Sequence, residues 1–242
     1  MSQSDVVRIA LIHALEESVL PARRAFAEVW PEAFCFDLLD TSLAIDLAAA
    51  GRLDESMTTR FETLARYSLA HQGKAGATQA ILFTCSAFGP AIDALKALLP
   101  VPVLRPNEAA FEQALEHGSR IGLVVTYEPS LASLRDELQA MARQRGRAVE
   151  VVPILAKGAL AALKAGDGEG HDQLVVSACA AFADLDVVVL GQFSLARAAA
   201  AVQGVFAVPV LTTPGCAVEA LRRRLEFNSA SHASLSSHRI MP

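Results

Sequence analysis

The chain lacks most of what marks a polyelectrolyte binder or a secreted scaffold. Charged residues make up only 19% of its 242 positions, and the formal net charge is −5. That excludes a charged disordered tail and a nucleic-acid binder working through bulk positive charge. Aromatic residues are scarce at 6%, beside 52% apolar residues, a balance better suited to helices packed on a sheet than to a β-sandwich. The four cysteines, Cys35, Cys85, Cys179 and Cys216, have no paired spacing, so neither a disulfide framework nor a zinc cluster is expected. A reducing, cytoplasmic setting follows from the same observation. No apolar run approaches the roughly 18 residues of a membrane span. The first residues lack the basic region and cleavage site of a secretory signal. No histidine pair has metal-ligand spacing, so no metal is expected. The segment 166–170 (GDGEG) matches neither a P-loop nor a dinucleotide fingerprint and reads as a surface turn.

Short apolar runs alternate with helical patterns. Strands are expected at residues 6–12 (VVRIALI), 34–39, 80–84 (AILFT), 101–104, 120–125 (RIGLVV), 149–153, 186–190 (DVVVL) and 208–211. Helices are expected at 21–30, 57–72, 90–99, 130–144, 171–183, 194–202 and 215–227. Wholly apolar strands alternating with helices mean an α/β fold with parallel sheets covered on both faces.

The chain also repeats itself. AILFTCSAFGPAIDALKALLPVPVL in the first half corresponds to DVVVLGQFSLARAAAAVQGVFAVPVL in the second. Both read strand, small polar turn, alanine-rich helix and then VPVL. Two similar lobes are expected, each a four-stranded parallel sheet flanked by helices, related by a pseudo-twofold axis with a cleft between them. The first lobe is residues 1–106 with a returning helix at 214–228, and the second is 107–213. The polar, serine-rich segment 229–242 is expected to be frayed or disordered. Ligands of open parallel sheets bind beyond the carboxyl ends of the strands. Thr84–Ser86 and Gly191–Ser194 then fall on opposite walls of one cleft.

Cys85 stands out among the thiols. It follows an apolar strand, small residues come next, and Gly89-Pro90 opens a helix. Backbone N–H groups and a helix N-terminus stabilise a thiolate, although an isolated cysteine is more often a small buried hydrophobe. Cys35 and Cys179 read as core. Cys216, near the start of the last helix, reads chiefly as packing. His13 follows the first strand, where it either faces the cleft or is a satisfied strand-end histidine. Thr84, Ser86, Thr126, Ser194, Thr212 and Thr213 lie at or just beyond strand ends, and such hydroxyls together with helix N-termini hold carboxylates. Each is also an ordinary helix cap. Asn107 opens the crossover helix, where it touches ligand or caps the helix. Phe88 and Phe193 lie near the cleft but also suit the core.

These features together, at RIALIHAL, ILFTCSAFG, RIGLVVT, VVVLGQFS and PVLTTP, resemble the aspartate/glutamate racemase superfamily, which includes hydantoin racemase, arylmalonate decarboxylase and maleate isomerase. The resemblance runs from about Arg8 to Leu225. It implies two lobes closing on a substrate carboxylate, no cofactor, and two cysteines facing each other across the adjacent carbon. It also suggests a homodimer. Cys85 matches the first cysteine. Where the second is implied, after Leu190-Gly191, this chain has Gln192-Phe193-Ser194.

That departure disfavours two-base racemisation, which needs an acid/base group on each face. One thiol suffices for decarboxylation followed by protonation, or for addition, rotation and elimination in cis–trans isomerisation. The resulting expectation is an isomerase or decarboxylase acting next to a carboxylate through Cys85. Gln192 orients a small carboxylate or dicarboxylate substrate, and Tyr127 contributes a phenol. Two alternatives stand beside it. One is a non-catalytic carboxylate-binding or regulatory protein on the same fold. The other is a racemase in which Cys216, His13 or a water replaces the missing thiol.

Overall fold

The computed structural model describes residues 6–237, with side chains as far as Phe227. Within them the strands β1 (Arg8–His13), β2 (Phe34–Leu39), β3 (Thr78–Phe83) and β4 (Val103–Leu104) form one parallel sheet, in the order β2-β1-β3-β4. Strands β5 (Arg120–Val125), β6 (Glu150–Leu155), β7 (Val187–Leu190) and β8 (Val210–Thr212) form a second, in the order β6-β5-β7-β8. The repeat seen in the sequence is therefore a repeat of topology. Parallel neighbours need crossovers, and helices supply them. They are α1 (Val19–Val29), α2 (Ser42–Ala50), α3 (Glu55–Leu69), α4 (Gly89–Lys96), α5 (Glu108–His117), α6 (Glu128–Gln144), α7 (Ala159–Lys164), α8 (Gly168–Cys179), α9 (Ala199–Gln203) and α10 (Thr213–Ser237).

The strand positions follow the apolar runs, and the central strands β1, β3, β5 and β7 are almost wholly buried. Two helices were not expected from sequence, α2 and α7. Of α2 only Leu43 is buried, so it carries no continuous apolar stripe, and α7 has only six residues. Residues 166–170 are not a surface turn. Asp167 accepts a hydrogen bond from the Gly170 N–H at 2.8 Å and caps α8, whose first turn holds Gly168–Gly170.

Each sheet has an outer face with its own helices. Phe61 of α3, Ile92 and Leu95 of α4 and Leu43 of α2 cover the first. Val175 and Cys179 of α8 and Val202 of α9 cover the second. The inner faces share one apolar layer, built from Leu11, Leu82, Leu123 and Val189 of the strands with Phe26 of α1, Phe111 of α5, Leu134 of α6 and Leu221 of α10. Helix α10 lies against both α1 and α5. The space between the sheets is thus a single core shared by the two halves, not a seam between finished domains. The backbone of α10 stays helical to Ser237, across part of the segment expected to be frayed. Residues 238–242 of that segment lie outside the described residues.

Candidate active site

The register of the two sheets fixes which residues correspond. Ile12 pairs with Phe83, and Val124 pairs with Leu190. The next backbone N–H on each side repeats the match. Thr84 N–H donates to the Ile12 carbonyl at 3.1 Å, and Gly191 N–H donates to the Val124 carbonyl at 2.9 Å. One residue further on, Cys85 and Gln192 occupy equivalent places. Both are extended and both open a 3-10 turn, Ser86–Phe88 after Cys85 and Phe193–Ala198 after Gln192. Phe88 and Phe193 are buried in the core. Each turn reaches into the opposite half. The first packs on α6, and the second packs on α1 and on the short turn Glu16–Ser18.

Cys85 is half-buried against the outer core of the first half. Burial pushes its thiol up to about 11, against which the Ala87 N–H is the opposing influence. The sequence-based expectation of a stabilised thiolate is therefore corrected. One N–H group does not offset the loss of solvent around a charged sulfur. At neutral pH Cys85 carries its proton.

Opposite Cys85 in the pseudo-symmetry, Gln192 is tied down at one end. Its Oε1 accepts hydrogen bonds from Thr126 N–H at 2.7 Å and from Thr126 Oγ1 at 2.8 Å. The amide oxygen is thereby committed, and the Nε2 hydrogens are left as the donors. Asn107 is buried, and its side chain does not cap α5. Its Nδ2 donates to the Gly191 carbonyl at 2.8 Å, tying the start of α5 to the residue before Gln192.

His13 is fully buried and sits in a polar chain. Burial lowers its pKa, with Asp37 pulling the other way, so the ring is neutral at neutral pH. The Asp37 carboxylate only accepts, so the proton lies on Nε2, 3.0 Å from Asp37 Oδ1. Nδ1 is then an acceptor. Thr84 Oγ1, 2.8 Å away, donates to it, while Ser18 Oγ donates to the Leu15 carbonyl at 2.7 Å. Arg23 holds the far oxygen of Asp37 through Nε and Nη2 at 2.9 and 2.6 Å. Sequence reading found His13 and Thr84 but missed Asp37, Ser18 and Arg23. The available signal was a lone carboxylate inside the apolar run FCFDLL.

The other hydroxyls differ in what they are free to do. Thr212 Oγ1 accepts from the Gly215 N–H at 3.2 Å, which leaves its own hydrogen available. Thr213, at the start of α10, is fully buried with an unpartnered Oγ1. Ser194 is buried, Ser86 is half-buried, and Tyr127 is exposed at the start of α6. Cys216 lies in the shared core, 3.3 Å from Gln113 Oε1, with its thiol pushed up to about 12 by burial. Cys179 is core as expected, and Cys35 is half-buried against the shared layer. Among the described residues no group of three or more His, Cys, Asp and Glu is placed to hold a metal ion, and no helix is long and apolar enough to cross a membrane.

Two pseudo-equivalent strand-end turns over parallel sheets define an α/β protein of the racemase architecture. The profile of the Asp/Glu/Hydantoin racemase family matches residues 21–221, and the chain belongs to that family. Allantoin racemase from Pseudomonas fluorescens has the same fold, with a TM-score of 0.66, 18% identity and 92% of each chain covered. A glutamate racemase from Bacillus anthracis superposes with a TM-score of 0.67 at 14% identity, over 92% of this chain and 82% of that one. Aspartate racemase from Picrophilus torridus gives a TM-score of 0.63 at 10% identity, over 86% and 89%. No curated protein matches the chain by sequence.

Proposed function

We infer that this racemase-family chain is a cofactor-independent enzyme that delivers a proton to the carbon next to a carboxylate, using the single thiol of Cys85. What carries the reading is the pairing of Cys85 with Gln192 in equivalent turns. An amide does not exchange protons with carbon near neutral pH, so the two walls have unequal roles. Cys85 starts protonated, and it is therefore an acid first and a base only after transfer. That favours decarboxylation of a geminal dicarboxylate. The C–C bond to one carboxylate breaks, CO2 leaves, and the electron pair forms an enediolate. The Cys85 S–H proton adds to carbon, and the thiolate left behind recovers a proton from water. Isomerisation by thiolate addition fits less well with a thiol raised to about 11. The Nε2 hydrogens of Gln192, the hydroxyls of Ser86, Ser194, Thr212 and Thr213, and the Tyr127 phenol are the proposed donors to carboxylate and enediolate oxygens. Thr126 holds the Gln192 amide and Asn107 the Gly191 carbonyl before it, while His13 fixes Thr84 next to Cys85. A homodimer in a reducing cytoplasm completes the reading.

The test is a panel of 2-substituted malonates turned over in heavy water. One deuterium at the α carbon and a product of one hand are expected. The hand should be opposite to that from an enzyme whose only cysteine stands in the second half. Cys85→Ala should lose about 10²- to 10⁴-fold in turnover. A product of the same hand would refute delivery from the Cys85 wall. The raised thiol also favours a second reading, a carboxylate-binding protein without chemistry. Saturable binding of mono- or dicarboxylates, with no turnover and no α-hydrogen exchange in any of them, selects it.

A further inference from the structure

An open sheet ends in two edge strands, and a bare edge is a template for another chain. Among the described residues the edges are β2 and β4 in the first half and β6 and β8 in the second. All but one are closed. Strands β4 and β8 are only two and three residues long, and Gln203 Oε1 accepts from the Val210 N–H of β8 at 3.1 Å. In β6 the flanking Glu150 and Ala156 N–H groups donate towards β5, to the Ser119 and Val125 carbonyls, each at 2.8 Å over an unshifted register. Alternation then turns the backbone groups of Val151, Pro153 and Leu155 outward. Pro153, in the middle, is exposed and has no N–H to offer.

Strand β2 has none of these devices. Phe34 N–H donates to the Val7 carbonyl at 2.8 Å and Asp40 N–H to the His13 carbonyl at 3.0 Å, again over an unshifted register. Cys35, Asp37 and Leu39 therefore turn their backbone N–H and C=O groups outward. Among the described residues no strand pairs with that side of β2, and no turn or loop bonds to those groups. Leu11 pairs with Asp37 as Leu123 pairs with Pro153, so the middle of this edge keeps the donor that the second half lacks. The strand, FCFDLL, has no proline, lysine or bulge, and Leu39 at its end is 44% exposed.

We propose that a second copy of this chain docks on the β2 edge, strand against strand and antiparallel, joining the two first-half sheets into one. This rests on the homodimer of the functional reading and gives it a contact surface. A twofold axis at Asp37 makes the edge complementary to itself. Cys35 faces the partner's Leu39 and Asp37 faces the partner's Asp37, each pair exchanging both backbone bonds. Phe36 faces the partner's Leu38 on the outer-core side, where both residue types are half-buried. The like charges at the axis bring their own counterions. Arg23 holds Asp37 Oδ2 through Nε and Nη2 at 2.9 and 2.6 Å, and its side chain is 62% exposed. Its Nη1 takes no part in these bonds and is the donor to the partner's carboxylate. Apolar pairs on both sides of a charge-balanced centre favour this chain's own strand over an unrelated one.

The experiment is light scattering of the full chain over a concentration series, with amide hydrogen exchange of β2 followed residue by residue in the same samples. The mass should rise from 25.6 kDa to twice that value. The Cys35, Asp37 and Leu39 amides should slow at least about tenfold in step with it. Leu39→Pro removes an N–H that is unpaired in the single copy, so the variant should fold, which near-ultraviolet circular dichroism checks. By symmetry it removes bonds at both ends of the pairing, and the Kd of the dimer should rise about tenfold or more. An unchanged Kd in the folded variant overturns the proposal, as do edge amides that exchange equally fast in monomer and dimer. A wild type that stays at 25.6 kDa up to about 0.1 mM overturns it too. Slow edge amides in a monomer do the same, because the cover then comes from within the chain. Should the variant not fold, the wild-type exchange decides. Neither measurement needs turnover, so a dimer of this kind without activity would fail the functional reading alone.

Discussion

Replacing Gln192 by cysteine places a second thiol at the position equivalent to Cys85. Its cost can be worked from the contacts. Thr126, 7% exposed, donates both its N–H and its hydroxyl to Gln192 Oε1, at 2.7 and 2.8 Å. A shorter side chain with a weakly accepting sulfur leaves these donors poorly satisfied. A destabilisation of about 1–3 kcal/mol is expected, measurable as a lower urea midpoint at unchanged slope. The chemical gain is proton transfer on the second face. Enantiomeric excess of product should fall, and the α hydrogen of a pure product enantiomer should exchange with heavy water and invert. Chiral chromatography and proton NMR follow both. Gln192→Glu is the control for stability alone, because it keeps an oxygen for Thr126 and should cost less than about 1 kcal/mol. The reasoning is refuted if the variant is folded and its new thiol is alkylated, yet the enantiomeric excess is that of wild type.

Further expectations come from single contacts. The neutral, buried His13 has a lowered pKa, so the unfolded chain binds the proton more tightly. Stability should be fully present above about pH 6.5 and should fall as pH drops below it, a slope that His13→Gln removes in denaturation series. Asn107→Ala breaks the bond to the Gly191 carbonyl and should lower stability by about 1–2 kcal/mol. In Gly191→Ala the new Cβ lies 3.1 Å from the Val124 carbonyl oxygen and 3.0 Å from Leu123 Cδ1. Backbone there cannot yield freely, so about 1–3 kcal/mol of destabilisation is expected in the same assay.

Much of the fold was legible because burial on both faces writes each strand as an unbroken apolar run. The VPVL repeat pointed to the two equivalent turns that carry Cys85 and Gln192. What escaped reading was tertiary. The partner of Thr84 is His13, 71 residues away, and one partner of Arg105, Glu137, sits on the other half. Local sequence pointed to a lowered thiol pKa at Cys85 through nearby N–H groups, but the sign was set by the solvent that the assembled core excludes. Helix α2 escaped because its alanines give no periodic contrast. The commitment of Gln192 Oε1 to Thr126 was invisible for the same reason of distance: the two residues are 66 positions apart.

The shared layer between the sheets has a consequence for symmetry. Helices α5 and α10 follow equivalent strands, touch each other and help fill one core. Each half covers its outer face, but neither covers its inner face alone, so a fragment of 107–213 expressed alone should present an apolar face to water and associate with itself. The arrangement has the topology of a twofold pair carried in one chain. Carrying both walls in one chain releases a constraint that twofold symmetry imposes. In a homodimer every substitution appears on both walls, whereas in one chain a thiol can be kept on one wall and lost from the other.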